Sequence, residues 1–257
     1  MFIPPLLYSL GLAALYYNQE SLLFPGTPLP SDYQFSFDVP FKEVSIPVKG
    51  ATLNALHFQQ DNPRGVIFFL HGNAGNLVNW TVGMDYYQRI NYDLFIFDYR
   101  GYGKSTGKIT SQPQLMDDVR TAWNTLAPQY KDKPIVIYGR SLGTALATQL
   151  ASEVSSDLLI LVSPFTDMTS LAKNRYPLAP AKLLRYPLNT DQIINDVKTD
   201  IVFMHGDNDT TIPIDHSQKL QALLNKPSQL FEIEGASHND IHQFKSYLDS
   251  LAQVLPN

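Results

Sequence analysis

The sequence predicts an α/β fold: a mainly parallel, doubly wound sheet with N-terminal antiparallel edge strands and a small lid insertion. Three observations predict it. Short apolar runs without alternation recur from Val66 onward, as in strands covered on both faces. Helix-length amphipathic stretches separate most of these runs, which places helices on both sides of a parallel sheet. Ahead of the first run, two segments alternate apolar and polar residues, as half-buried edge strands do.

Taken in order, the chain opens on its compositional outlier. Phe2 to Tyr17 carries no charge and is mostly apolar, interrupted by Pro4, Pro5, Ser9 and Gly11. A full membrane span takes ~20 apolar residues, so the stretch is short. It lacks a basic leading region, and Leu12-Ala13-Ala14 is a poor signal-cleavage site. Residues 1–24, extended through Leu22, Leu23 and Phe24, are expected to act as a membrane anchor, placing the protein at a membrane. A helix docked on the body and a cleaved signal are the alternatives, and they make the protein soluble in the cytoplasm or secreted. The first basic residue is Lys42, so the positive-inside rule gives no orientation. Residues 25–40 hold Pro25, Gly26, Pro28, Pro30 and Pro40 and read as an extended connector.

Residues 41–257 are the main domain. Alternation over Phe41 to Ile46 and Thr52 to Phe58 predicts a hairpin turning at Lys49-Gly50. Apolar runs come next at Val66 to Leu70, Leu94 to Phe97, Ile135 to Tyr138, Leu158 to Val162 and Ile201 to Met204, with a weaker one at Gln229 to Ile233. Helices are expected over Leu77 to Ile90, Gln114 to Ala127, Leu142 to Glu153, Ile214 to Leu224 and Asp240 to Val254. The interval from Phe165 to Thr199 breaks the alternation and is rich in Tyr, Leu and Pro; a structureless loop of that length is unusual in a compact domain, so short helices forming a lid are expected. There Tyr176, Leu178, Leu183, Leu184 and Tyr186 are candidates for an apolar pocket or for lid packing.

With 257 residues, 44% of them hydrophobic and 17% charged, the chain can bury one substantial core. A formal charge of -5 leaves no basic excess for phosphates, which excludes nucleic acid as a partner. No cysteine is present, so disulfides, thiolate metal sites and a thiol nucleophile are excluded. No metal-binding motif such as HExxH occurs, and no cofactor is called for. The oligomeric state is not legible.

In an open α/β sheet, functional residues gather beyond the carboxyl ends of the strands, so the residues just past each apolar run are the informative ones. After Ile135 to Tyr138 stands Gly139-Arg140-Ser141-Leu142-Gly143, a G-x-S-x-G motif between a strand and a helix. Glycines there permit a sharp turn that projects the Ser141 hydroxyl, and the helix behind aims N–H groups at the same point. After Ile201 to Met204 come Asp207 and Asp209. A carboxylate here can hold a histidine's tautomer; Asp209 is preferred because the turn leading to Pro213 carries it toward the site, with Asp207 bonding the turn itself. The weak run at Gln229 ends in Gly235-Ala236-Ser237-His238, and the chain order Ser, Asp, His selects His238 as base over His57, His71, His205, His216 and His242. The segment His71 to Asn76 suits backbone donors to a developing oxyanion, so the amides of Asn73 and Leu142 are the candidate pair. Gly101 to Thr106 ends like a phosphate-binding loop, but Asp98 stands where that motif requires glycine.

Five ordered segments resemble the α/β-hydrolase superfamily, and more closely its Bem46-like group with the ABHD13-type and ABHD17-type serine hydrolases. They are HGNAGN at 71–76, Asp98 to Ser105, Gly139 to Gly143, HGDNDTTIP at 205–213 and Ser237 to Asp240. The resemblance implies the α/β-hydrolase fold, an acid at the position of Asp209, and cleavage of carboxylic esters or thioesters through an acyl-enzyme. The implied partner is a small-molecule or lipid acyl ester or thioester. An aminopeptidase or amidase, and a catalytically silent scaffold, are the alternative functions.

Overall fold

The computed structural model describes residues 5–83 and 85–256. The first four residues of the expected anchor, Met84 within the expected 77–90 helix and Asn257 at the end of the main domain lie outside the described residues. Two helices open the described chain, α1 (Pro5–Tyr17) and α2 (Gln19–Leu23). Next are β1 (Phe41–Val48), β2 (Ala51–Phe58), β3 (Gly65–Leu70), α3 (Leu77–Trp80), α4 (Asp85–Arg89), β4 (Tyr92–Phe97) and α5 (Gln112–Leu126). Then come β5 (Ile135–Arg140), α6 (Leu142–Glu153), β6 (Leu158–Val162), α7 (Met168–Arg175) and α8 (Thr190–Ile193). The chain closes with β7 (Ile201–Gly206), α9 (Asp215–Leu223), β8 (Gln229–Ile233) and α10 (Lys245–Val254).

The strands form one sheet of eight in the order β1-β2-β4-β3-β5-β6-β7-β8. β1 and β2 pair antiparallel across the Lys49-Gly50 turn, and β2 meets β4 antiparallel. All later pairings are parallel. The apolar runs became central strands because alternate residues point to opposite faces and both faces are covered. Val66, Phe68 and Leu70 join Ile137, Leu161 and Phe203 in a core shared with Leu115, Val119 and Trp123 of α5 and Leu146 and Leu150 of α6. Ile67, Phe69, Ile96, Tyr138, Ile160 and Met204 face the other way, toward Tyr86 of α4 and Tyr247 and Leu251 of α10. Each such burial is worth about 1.5–3 kcal/mol, which makes this sheet a rigid base for the loops at its carboxyl edge.

Two expected helices are shorter than the periodicity suggests. The 77–90 stretch is divided into α3 and α4, with Gly83 between them at φ 83°, a left-handed value that no α-helix continues through. The 240–254 stretch starts as a single tight turn at Ile241–Gln243, and α10 begins only at Lys245, after Phe244 adopts an extended conformation. Residues 165–199 hold α7, α8 and two short turns of 3-10 helix. Within them Tyr186 and Leu188 are buried in the core, whereas Leu178 is exposed.

None of the α1 side chains is buried, and Leu6, Leu7 and Leu10 are all more than half exposed. Among the described residues no helix is long and apolar enough to cross a membrane. α2 is tied to the 165–199 interval. Gln19 Nε2 donates to Leu183 O at 2.7 Å and its Oε1 accepts from the Arg185 amide at 2.8 Å, while Glu20 takes the Tyr186 hydroxyl and pairs with Arg185. Tyr176, Leu183 and Leu184 line an apolar cleft of about 310 Å³ with Leu15, Leu22 and Leu23. The segment after α2 runs extended against the body, through bridges of Gly26 to Gly75 and Pro28 to Gly103.

Candidate active site

Ser141 sits between the end of β5 and the start of α6 with φ 52° and ψ -120°, a conformation that L-residues rarely hold. Such backbone costs about 1–3 kcal/mol and persists only when its surroundings dictate it. Here the Ser141 amide donates to Val162 O at 2.9 Å. The two motif glycines let the turn close: a β-carbon at Gly139 would meet Gly143 O at 2.5 Å, and one at Gly143 would collide with the Leu70 carbonyl. The result raises the hydroxyl above the sheet at the N-terminus of α6.

His238 Nε2 lies 3.0 Å from Ser141 Oγ, and His238 Nδ1 lies 2.7 Å from Asp209 Oδ2. With Nδ1 donating to the carboxylate, Nε2 is left to accept the serine proton. The three side chains come from the carboxyl ends of β5, β7 and β8, and Ser141 and Asp209 are buried.

Asp209 is held by its own turn. Its Oδ1 accepts the amides of Thr211 and Ile212 at 2.9 and 2.8 Å. His205 stands behind it, with Nδ1 accepting from Ser217 Oγ at 2.7 Å and Nε2 donating to Ile212 O at 2.8 Å, 3.4 Å from Asp209 Oδ2. Burial alone would raise this carboxyl; hydrogen bonds from His205, His238 and the Ile212 amide outweigh it and hold the group well below the ordinary carboxylate range. It is an anion set against the imidazole of His238. Asp207 faces elsewhere, its Oδ1 accepting the Gly235 amide at 2.7 Å and so bracing the His238 loop from below.

That loop has a second brace. Arg140 Nη2 donates to the carbonyls of His238 at 3.0 Å and Asn239 at 3.3 Å, with its guanidinium 5.3 Å from the centre of the Trp80 ring. Asp240 Oδ1 accepts the Ser237 amide at 2.7 Å.

The Gly72–Gly75 segment passes beside the nucleophile; a β-carbon on Gly72 would lie 3.5 Å from that of Ser141. Leu142 is buried at the first turn of α6 and Asn73 is exposed on the loop. His71 Nδ1 donates to Gly72 O at 2.7 Å. Because a trans peptide points its C=O and N–H in opposite directions, this bond fixes the direction of the Asn73 amide. His71 Nε2 in turn stands 3.5 Å from Asp98, whose other oxygen takes the Leu77 amide at 3.2 Å.

Two further histidines lie apart. His57 contacts the Tyr130 hydroxyl at 2.8 Å and His216 the Thr166 hydroxyl at 3.1 Å. Among the described residues no cluster of three or more His and carboxylate groups is placed to hold a metal ion. The sequence passes over His71 and His205 as bases and marks no part for Arg140. Its place at the variable position of G-x-S-x-G, next to the nucleophile, was the available signal.

A serine, histidine and aspartate so linked can carry out nucleophilic acyl transfer. Comparison with known proteins shows the family. The family model described as serine aminopeptidase S33, Hydrolase_4, matches residues 61–190. Human alpha/beta hydrolase domain-containing protein 17B is 33% identical over 203 residues, covering 76% of this chain and 67% of that protein. The human 17C protein is 31% identical over 197 residues, covering 75% and 58% respectively. The chain thus spans about two thirds or less of the length of these relatives. Among solved structures, an esterase of Pyrococcus furiosus superposes with a TM-score of 0.70 at 19% identity, covering 88% of this chain and 97% of its own. Mouse alpha/beta hydrolase domain-containing protein 10 superposes at 0.62 and 16% identity, covering 82% and 96%.

Proposed function

This chain belongs to the α/β-hydrolase family, in the group of the domain-containing 17 proteins, and we propose that it is a serine hydrolase cleaving carboxylic esters or thioesters. The observation that carries the proposal is the unbroken relay from Ser141 Oγ through His238 to Asp209. His238 Nε2 takes the serine proton as Oγ attacks the acyl carbon, and Asp209 balances the imidazolium charge. The oxyanion of the tetrahedral intermediate falls to the amides of Asn73 and Leu142. His238 then returns its proton to the leaving alkoxide or thiolate, giving an acyl-enzyme. Water, deprotonated by the same imidazole, attacks the acyl carbon and releases the acid through a second tetrahedral intermediate.

We further propose that the N-terminal segment attaches the protein to a membrane by lying in the interface. α1 has 13 residues and no charge. At 1.5 Å per residue it measures about 20 Å, against ~30 Å for a hydrocarbon core. Its exposed leucines, with Leu178 close by through the bond from Tyr8 Oη to Leu178 O at 2.8 Å, favour that placement.

A fluorophosphonate probe tests the nucleophile: the chain is expected to label stoichiometrically and Ser141→Ala not at all, and labelling of the variant overturns the assignment. A matched series of ester, thioester and amide substrates separates the reading from the aminopeptidase suggested by the family model's description. A silent scaffold gives neither labelling nor turnover.

A further inference from the structure

The connector between the N-terminal helices and the sheet is built into the loop that carries Asn73. Thr27 N donates to Gly75 O at 2.9 Å, and Thr27 O accepts both Asn76 Nδ2 at 2.9 Å and the Gly103 amide at 3.0 Å. Leu29 N donates to Gly103 O at 2.8 Å. Residues 26–29 therefore run as a short shared strand between the 71–76 and 98–105 loops.

Gly26 lies flat on the Tyr102 ring, where a β-carbon would come within 2.5 Å of it. The hydroxyl of that same ring donates to Asn73 O at 2.6 Å. Ala74 O is taken by Trp80 Nε1 at 2.7 Å. Three successive carbonyls, of Asn73, Ala74 and Gly75, are thus each held; the strap itself makes the hold on Gly75 and packs against the ring that makes the hold on Asn73.

We propose that residues 26–29 are a positioning strap for the oxyanion-binding loop, so that the N-terminal segment contributes to rate as well as to attachment. This rests on the reading of Asn73 as an oxyanion donor. An amide that points at developing charge works only in place: a misplacement of about 1 Å can cost on the order of 10²-fold in rate. The strap touches neither the hydroxyl nor the imidazole. Its effect falls on the tetrahedral state and not on the ground-state complex.

The test uses the full chain with p-nitrophenyl butyrate as substrate and phenylboronic acid as the tetrahedral mimic. Thr27→Pro removes the N–H that holds Gly75 O, and Tyr102→Phe keeps the ring and removes only the bond to Asn73 O. Each is expected to lower kcat roughly tenfold to a hundredfold with KM within about threefold, and to weaken boronate inhibition by a similar factor. Gly26→Ala, whose added carbon pushes the strap off the Tyr102 ring and leaves the Tyr102 hydroxyl in place, is expected to act in the same direction and keeps the test decisive if Thr27→Pro does not fold. Unchanged kcat in a folded variant, or a loss confined to KM with boronate affinity intact, overturns the proposal. Turnover by the unaltered chain and its loss in Ser141→Ala establish the underlying hydrolase reading separately.

Discussion

Arg140, the neighbour of the nucleophile in sequence, donates from Nη2 to the main-chain carbonyl of His238 at 3.0 Å. One residue thereby ties the strand that presents the hydroxyl to the loop that presents the base. The distance from Ser141 Oγ to His238 Nε2 is set by both of these backbones, so the tie acts on the proton transfer proposed between them.

Arg140→Met is accordingly expected to lower kcat on the order of tenfold with little change in KM. A hydrogen bond from a charged donor is worth about 1.5–3 kcal/mol, and partial exposure lets water replace some of it. Steady-state kinetics on p-nitrophenyl butyrate checks this; an unchanged kcat would show that the loop holds its place without the guanidinium.

The two neighbouring aspartates give opposite outcomes. Asp209→Asn turns the acceptor of the His238 Nδ1 proton into an amide and leaves the imidazole free to take the wrong tautomer, with an expected fall in kcat of about 10⁴-fold. Asp207→Asn loses only part of the bond to the Gly235 amide and is expected to lower the thermal midpoint while keeping kcat within about fivefold, since one such bond is worth ~1 kcal/mol. Reversed effects would exchange the roles of the pair.

His57 makes stability depend on pH. Burial first, and the Lys42 charge second, lower its pKa from 6.5 to about 4. The folded state therefore keeps the ring neutral where the unfolded chain takes up a proton. Stability from this group is fully present above pH 6.5, is lost as pH falls toward 4, and changes no further below that; the span amounts to roughly 3 kcal/mol. Urea unfolding at pH 7 and 4.5 is expected to show a smaller difference in His57→Gln than in the unaltered chain. Equal differences would assign the acid sensitivity to other groups.

The sheet was legible because burying a strand on both faces demands an unbroken apolar run, and Val66 to Leu70 or Leu158 to Val162 have no other use for one. Ser141 was legible because its turn tolerates only glycine at 139 and 143, which leaves a mark in the sequence. The choice between Asp207 and Asp209 was harder: two identical carboxylates two positions apart differ only in the turn that aims them. The break at Gly83 was missed because apolar periodicity continues on either side of a single left-handed residue. The strap left only an extended connector with a glycine at 26 as its trace, since Thr27 holds its neighbours through N–H and C=O groups that nearly every residue possesses.

The positive φ of Ser141 bears on whether this scaffold has fallen silent. A glycine is indifferent to that conformation, so Ser141→Gly would relieve about 1–3 kcal/mol of strain. In a lineage that no longer needed the hydroxyl, drift toward glycine would meet no resistance and would be rewarded by a sturdier fold. This chain instead carries a side chain at a turn where glycine would be more comfortable, a cost that the proposed chemistry of the hydroxyl accounts for and a silent scaffold does not.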